Sequence, residues 1–134
     1  MILLDLSSGE ERPIYGQIAD RMKFAVAGGV LRPGDLAPSV RELAKQLLVN
    51  PNTVARAYRD LQAEGLFEAV RGMGLQVAED AVERCRAARR EIVRLRFRRA
   101  IDEARESRME PGEIEAIFRE EWAKTANQAN GQPS

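Results

Sequence analysis

A short polar cluster in the segment "VNPNTVARAY" has the residue types that contact DNA bases. Asn52, Thr53 and Arg56 lie at positions i, i+1 and i+4 of a predicted helix, on the face opposite its apolar residues. Asparagine can form two hydrogen bonds with adenine, arginine can form two with guanine, and threonine suits a phosphate or a thymine methyl group. The spacing therefore indicates a surface that contacts nucleic acid.

The same segment also has simpler interpretations. Asn50 followed by Pro51 is sufficient to start a helix, because asparagine is a favoured N-cap residue and proline fits the first helical position. That structural role is compatible with a DNA contact. Asn52 and Thr53 are not needed for capping and could be merely solvated. Arg56 could pair with the aspartate four residues later on the helix surface.

Composition excludes several kinds of chemistry. The 134-residue chain has no histidine and one cysteine, Cys85, so it lacks the residues for a Cys/His zinc site, histidine acid–base catalysis or an internal disulfide. It has no glycine-rich phosphate-binding motif, and we predict no catalytic residue, metal or cofactor. A lone cysteine fits a reducing compartment, which predicts a cytoplasmic location. No apolar run approaches the roughly 20 residues of a membrane helix, and the first residues lack the basic segment of a signal peptide.

The chain as a whole has no net charge, with 21 basic and 21 acidic residues. Nucleic-acid-binding domains often carry a basic excess, so any binding field here must be local. Arg41, near the start of a predicted helix, is one local cation. Arg71 is another, because it precedes Gly72 and Gly74 at the tip of a predicted hairpin, where glycine allows close backbone approach.

Periodicity and capping signals predict the elements that position these residues. A first helix begins at Pro13, a second follows an S-x-x-E capping box at Ser39, and a third runs from about Pro51 to Glu64. A hairpin follows. Three helices and a hairpin in this order are typical of a winged helix-turn-helix, whose third helix lies in the DNA major groove.

The predicted fold class is therefore mainly α with a small β-hairpin wing. We predict a winged helix-turn-helix domain over residues 1–77, followed over residues 78–134 by a two-helix segment with a frayed tail. The sequence "ILLDL" near the N-terminus predicts a short strand or a packed arm.

The two C-terminal helices are predicted to form a dimer interface. Two helices alone cannot bury a core, so their apolar residues need a partner surface, which a second copy of the chain would supply. Cys85 is expected to be a small apolar residue of that interface. The residues predicted for dimerisation are Ile92, Leu95, Phe97, Ile101, Ile114, Ile117, Phe118 and Trp122.

The long helix also has an arginine excess. Residues 84–108 contain ten arginines and four acidic residues, a local net charge of +6. Solvated faces and pairing between the helices or protomers explain this pattern. Extra phosphate contacts or an acidic partner are the alternatives.

The segment from Pro13 to Val77 resembles the DNA-binding domain of the GntR family of bacterial transcription regulators. The motifs that carry the resemblance are "PGDLAPSVRELA", "VNPNTVARAY", "EGL" and "RGMG". It implies DNA contacts by residues of the second helix, the third helix and the wing, namely Arg41, Asn50, Asn52, Thr53, Arg56, Gly72 and Gly74.

Three positions depart from the family pattern. Leu48 occupies a turn position that usually takes glycine, and a positive φ there would strain leucine. Ala37 replaces a leucine. The wing has Met73 and Leu75-Gln76 where the pattern has "RGRGTFV", which predicts weaker wing contacts.

The short C-terminal part resembles that of the YtrA-type subfamily, which implies a two-helix dimerisation segment and a palindromic operator. We therefore expect a homodimeric repressor of its own operon, and the resemblance implies an operon that includes an ABC exporter. The sequence identifies no small-molecule effector. The alternative is a winged-helix protein-interaction module that has lost DNA binding, an interpretation motivated by the zero net charge and by Leu48.

Overall fold

Five helices and one hairpin follow each other along the chain in a computed structural model, which describes residues 12–131 and, for side chains, residues 12–128. The predicted "ILLDL" strand or arm lies outside the described residues. The mainly α architecture with a β-hairpin, predicted from the sequence, is confirmed. The elements are α1 Ile14–Ala27, α2 Val40–Leu47, α3 Pro51–Ala63, β1 Phe67–Val70, β2 Gly74–Val77, α4 Ala81–Glu106 and α5 Pro111–Gly131.

The first three helices begin and end where local chemistry dictates. Pro13 is the N-cap of α1 rather than its first helical residue, and Gly28 and Gly29 end that helix, the latter at φ 83°. The capping box at Ser39 begins α2 as predicted. Past the end of α3, Gly65 has φ 75°, a conformation that glycine adopts without a Cβ penalty.

The hairpin is a two-stranded antiparallel sheet closed by a short turn. Phe67 pairs with Val77 and Val70 pairs with Gly74, so the predicted tip at residues 71–74 is correct except that Gly74 already belongs to β2. The loop before α2 adds to the sheet edge, since Leu36 forms a bridge with Gln76.

The chain divides into two compact units, one ending at Ile92 and the other beginning at Val93. The first unit has an aliphatic core to which α4 contributes its first turns through Ala81 and Cys85. Cys85 is fully buried in this core, so its expected place at a dimer interface is wrong. The other fully buried large side chains include Ile18, Met22, Val26, Leu43, Val54, Leu61, Phe67 and Val77.

Two arginines attach α4 to the other helices of this unit. Arg84 donates to the carbonyl oxygens of Glu64 and Gly65 at the C-terminal end of α3. Arg86 donates to the carbonyl of Ala27 at the end of α1, at 3.5 Å. Both contacts place a cation where the helix dipole is negative, which stabilises these helix ends.

The second unit consists of the rest of α4 and α5. The Phe118 ring lies 6.3 Å from Phe97 and 6.1 Å from Trp122, centroid to centroid. Helix α5 continues to Gly131, so its last described turns are helical where a frayed tail was expected. The segment "TANQAN" has no proline and two alanines, which allows the helix to continue. Among the described helices, none has the length and apolarity to cross a membrane.

Candidate nucleic-acid interface

The start of α2 presents Arg41 on a helix fixed by a complete capping box. The hydroxyl of Ser39 accepts a hydrogen bond from the Glu42 N–H at 3.0 Å, and the Ser39 N–H donates to Glu42 Oε1 at 3.1 Å. The backbone N–H of Ser39, with a smaller contribution from its hydroxyl, lowers the pKa of Glu42. Arg41 is exposed beside this box, and within residues 12–131 it forms no ion pair. It is therefore available to a phosphate.

The turn between α2 and α3 has the backbone conformation that the family pattern requires. Leu48 ends α2 in the left-handed region, at φ 57° and ψ 45°, and its N–H still donates to the Ala44 carbonyl. Leucine thus adopts a positive φ at the position that usually takes glycine. Its side chain is 90% exposed, so leucine gains little burial there. The backbone of the turn therefore keeps its left-handed conformation, and Leu48 is strained in it because it has a Cβ.

Helix α3 begins at Pro51 with Asn50 as its N-cap, as predicted. The Asn50 Oδ1 accepts a hydrogen bond from the Asn52 N–H at 2.8 Å, and Pro51 takes the first helical position. The side-chain oxygen of Asn50 is therefore used by this helix cap. The residue itself is exposed. Asn52 and Arg56 are exposed and Thr53 is half-buried. The structure brings these side chains to one side of α3, and their contact with DNA stays a prediction.

The opposite side of α3 is packed against the core. Val54, Ala57, Tyr58 and Leu61 are buried, which confirms the predicted apolar face. This packing fixes the rotation of α3 about its axis, and hence the direction in which Asn52 and Arg56 project.

The Arg56 guanidinium stacks on an aromatic ring instead of pairing with an aspartate. Its Cζ lies 3.8 Å from the centroid of the Tyr15 ring on α1, and in the described part of the chain it forms no salt bridge with Asp60. Sequence reasoning missed Tyr15. The available signal was an aromatic residue of α1 three positions before Ile18 and seven before Met22, on the same side of the helix.

The hairpin tip combines a cation with two glycines of positive φ. Gly72 has φ 79° and Gly74 has φ 119°, while the Met73 N–H closes the turn on the Val70 carbonyl at 2.9 Å. Among the described residues, no heavy atom beyond the chain neighbours lies within 4 Å of a Cβ built on either glycine. Glycine is thus required by the backbone conformation, and the open space permits close approach of a ligand. Arg71 is exposed beside it.

A groove of about 510 Å³ separates the hairpin tip from the start of α2. At its floor the Tyr58 hydroxyl donates to the Pro38 carbonyl at 2.7 Å, which ties α3 to the loop before α2. Burial, with a smaller contribution from the Glu42 carboxylate, raises the pKa of Tyr58. The groove is lined by Leu36, Ala37, Pro38, Ser39, Val40, Glu42, Tyr58, Met73, Gly74 and Leu75.

No metal chemistry is evident in this region, because residues 12–131 contain no group of three or more acidic, histidine or cysteine side chains that could hold an ion. The region instead presents cations and hydrogen-bond donors at three places, which are the outer face of α3, the start of α2 and the hairpin tip. Such a set can bind phosphates and contact base edges.

Comparison with known proteins gives consistent matches. The family model described as bacterial regulatory proteins, gntR family, matches residues 14–77. The HTH-type transcriptional repressor YtrA of Bacillus subtilis is 43% identical over 79 residues, which are 59% of this chain and 61% of that relative. The chain thus matches only about three fifths of the length of this curated relative.

Two solved structures extend the comparison. A GntR family transcriptional regulator from Listeria monocytogenes is 31% identical, with a TM-score of 0.66, and the match covers 83% of this chain and 96% of that one. The DNA-binding domain of AraR, solved in complex with operator ORX1, is 30% identical with a TM-score of 0.50, over 56% of this chain and 93% of that one.

Proposed function

The chain belongs to the GntR family of bacterial regulatory proteins, as its motifs predicted, and from that premise we propose that it is a sequence-specific DNA-binding repressor that acts as a homodimer in the cytoplasm. Its relatives are transcriptional regulators and not enzymes, so the prediction that the chain is not an enzyme is confirmed. The observation that supports DNA binding best is the outward face of α3, where Asn52, Thr53 and Arg56 project beside an apolar face that is fully packed.

The proposed contacts divide into two classes. Asn52 and Arg56 contact base edges, because they project from the first two turns of α3, the part of a recognition helix that enters the major groove. Arg41 and Arg71 contact phosphates, because each is a separate exposed cation beside a helix start or a glycine turn. Asn50, Thr53, Gly72 and Gly74 complete the proposed surface. The operator complex of AraR, a structural relative, supports operator DNA as the partner.

DNA binding can be tested without knowing the operator. The wild-type protein selects duplexes from a random library, and fluorescence anisotropy then measures the Kd of the selected duplex. We expect Arg56→Ala to weaken binding by roughly 5- to 150-fold, which corresponds to about 1–3 kcal/mol for one bidentate base contact. Arg59→Ala is the matched control, because it removes an exposed arginine from the same helix, one turn further from its start.

The phosphate contacts have a separate signature. Arg41→Ala and Arg71→Ala should each weaken binding to all sequences alike and reduce the slope of log Kd against log salt by about 1. If the wild-type protein selects no sequence and binds duplex DNA with no salt dependence, the proposal is wrong. Stable co-purification with another protein would then favour the interaction-module alternative.

The proposed homodimer is supported by the apolar side chains that the second unit leaves in water. Phe97, Phe118 and Trp122 are 52%, 50% and 65% exposed, an unusual exposure for a cluster of three aromatic rings. Phe97 and Phe118 also line a cavity of about 280 Å³, whose other lining residues are all apolar except Glu121. Covering this surface with the same surface of a second copy would give a symmetric interface. The remaining proposed interface residues are Ile92, Leu95, Ile101, Ile114 and Ile117.

Sedimentation velocity over a range of concentrations tests the dimer. We expect a dimer for the wild-type protein and a shift toward monomer for Trp122→Ala and Phe118→Ala. Val30→Ala is the control, since Val30 is 61% exposed but lies in the first unit. A monomeric wild-type protein at micromolar concentration would contradict the proposal.

The proposed target is the operon of the chain's own gene, including an ABC transporter, and the YtrA resemblance is its support. Transcript levels of the neighbouring genes should rise in a deletion strain and return to normal on complementation. Complementation with Arg56→Ala should fail to restore them.

A further inference from the structure

Tyr15 on α1 contacts the arginine proposed to read a base. The Arg56 Cζ lies 3.8 Å from the centre of the Tyr15 ring, well within the roughly 6 Å at which a cation interacts with an aromatic face. Tyr15 is half-buried against the core cluster, whereas Arg56 is exposed. The contact therefore joins a fixed ring to a side chain that would otherwise move freely in water.

The ring is held in place by the packing of α1 against α3. Ile18 and Met22 of α1, and Val54 and Leu61 of α3, are all completely buried. Close-packed interiors of this kind allow little relative movement of the two helices. The position of the Tyr15 ring is thus fixed relative to the start of α3.

Stacking leaves the hydrogen-bonding edge of the guanidinium available. The five N–H groups of arginine lie in the plane of the guanidinium, and a ring covers only the face of that plane. A free arginine loses conformational entropy when DNA fixes it, whereas a stacked arginine has already lost part of it. Arg56 has no competing ion pair within residues 12–131.

We propose that Tyr15 is a positioning residue for DNA recognition, which holds the Arg56 guanidinium over its ring with the N–H edge directed at a base pair. This inference rests on the proposed function. Tyr15 is then required for the affinity and the base preference that Arg56 provides, although it makes no essential DNA contact of its own.

The test is a double-mutant cycle on the selected duplex. Tyr15→Leu removes the ring, Tyr15→Phe keeps it, and each is combined with Arg56→Ala. We expect Tyr15→Leu to weaken binding about threefold to tenfold, as the loss of an exposed cation–π contact and its ordering predicts. Tyr15→Phe should stay within about twofold of wild type. In the Arg56→Ala background, Tyr15→Leu should have no further effect.

Base preference distinguishes positioning from a general structural role. The base pair at which Arg56→Ala loses discrimination identifies the position that Arg56 reads. Tyr15→Leu should relax discrimination at that position alone. Ring-current shifts of the Arg56 side-chain protons, measured by NMR on the free protein, should be present in wild type and Tyr15→Phe and absent in Tyr15→Leu. Tyr15→Met serves as a second ringless variant if Tyr15→Leu does not fold.

Several results would overturn the inference. If Tyr15→Phe lost as much affinity as Tyr15→Leu, the result would show that the hydroxyl contacts DNA. A full additional loss in the Arg56→Ala background, or a loss of discrimination at every position, would show that Tyr15 does not act through Arg56. Unchanged affinity of Tyr15→Leu, with normal wild-type binding, would overturn the positioning role alone. Failure of the wild-type protein to bind any duplex would overturn the proposed function as well.

Discussion

Replacing Leu48 by glycine should stabilise the protein, although leucine is the larger apolar residue. Leu48 lies at φ 57° and ψ 45° at the end of α2, in the left-handed region that residues with a Cβ avoid. Its side chain is 90% exposed, so removing it forfeits little buried area. The N–H of residue 48 donates to the Ala44 carbonyl, and glycine keeps that hydrogen bond.

The expected increase in the free energy of unfolding is the difference between two effects of glycine on the backbone. The left-handed conformation costs a residue with a Cβ roughly 1–2 kcal/mol, and glycine avoids this cost. Glycine also gives the unfolded chain more freedom, which offsets about 0.5–1 kcal/mol. The free energy of unfolding should therefore rise by about 0.5–1 kcal/mol, which corresponds to a Tm increase of about 2–5 °C for a chain of this size.

Urea and thermal unfolding measure this change at a fixed protein concentration, because dimerisation would make the Tm depend on concentration. The control is Leu48→Ala, which also removes the exposed side chain but keeps the Cβ and hence the strain. An equal gain in Leu48→Ala and Leu48→Gly would attribute the effect to the exposed leucine and refute the backbone explanation. A loss of stability in Leu48→Gly would show that the strain at Leu48 is smaller than the cost of the freedom that glycine gives the unfolded chain.

Three further substitutions test the contacts around the interface. Ser39→Ala removes the capping box of α2 and should lower the free energy of unfolding by about 1 kcal/mol in urea. Tyr58→Phe removes the hydrogen bond to the Pro38 carbonyl and should cost about 1 kcal/mol near neutral pH. Because burial raises the pKa of Tyr58 in the folded state, the wild-type protein should lose stability as the pH rises above about 10, and Tyr58→Phe should lose less over the same range. Cys85→Ser places a hydroxyl in the core and should cost roughly 1–3 kcal/mol, whereas thiol reagents should label the native Cys85 slowly, because it is buried and burial raises its pKa.

The elements of the fold were predictable where local rules agree with the tertiary structure. The capping box at Ser39, the Asn50–Pro51 helix start and the glycine after α3 each satisfy backbone groups within a few residues. The apolar stripe of α3 also gave its buried face correctly. Local signals of this kind do not depend on what the rest of the chain does.

The missed features of the first unit's packing depend on contacts between residues distant in sequence. The contact of Tyr15 with Arg56 spans 41 positions, and the hydrogen bonds from Arg84 to the end of α3 span about 20. Cys85 was expected at a dimer interface because it lies on the long C-terminal helix, yet the first turns of that helix complete the core of the first unit. Periodicity identifies the apolar face of a helix but not the element that covers it.

Zero net charge was the main sequence argument against DNA binding, and the local arrangement of charges weakens it. Several carboxylates of the first unit are engaged within the protein. Asp20 forms an ion pair with Arg12 at 3.2 Å and Glu64 with Lys23 at 3.2 Å, while Asp35 accepts a hydrogen bond from the backbone N–H of Arg32 at 2.8 Å. The two ion pairs cancel charge locally and contribute little field at a distance.

The cations of the proposed interface have no such neutralising partner. Within residues 12–131, Arg41, Arg56 and Arg71 form no salt bridge, and they lie at the start of α2, on the outer face of α3 and at the wing tip. Affinity for a duplex depends on the phosphates that individual cations neutralise, not on the total charge of the chain. A chain with equal numbers of acidic and basic residues can therefore present an interface that is locally positive, and the salt dependence of binding, not the isoelectric point, is the quantity that reports it.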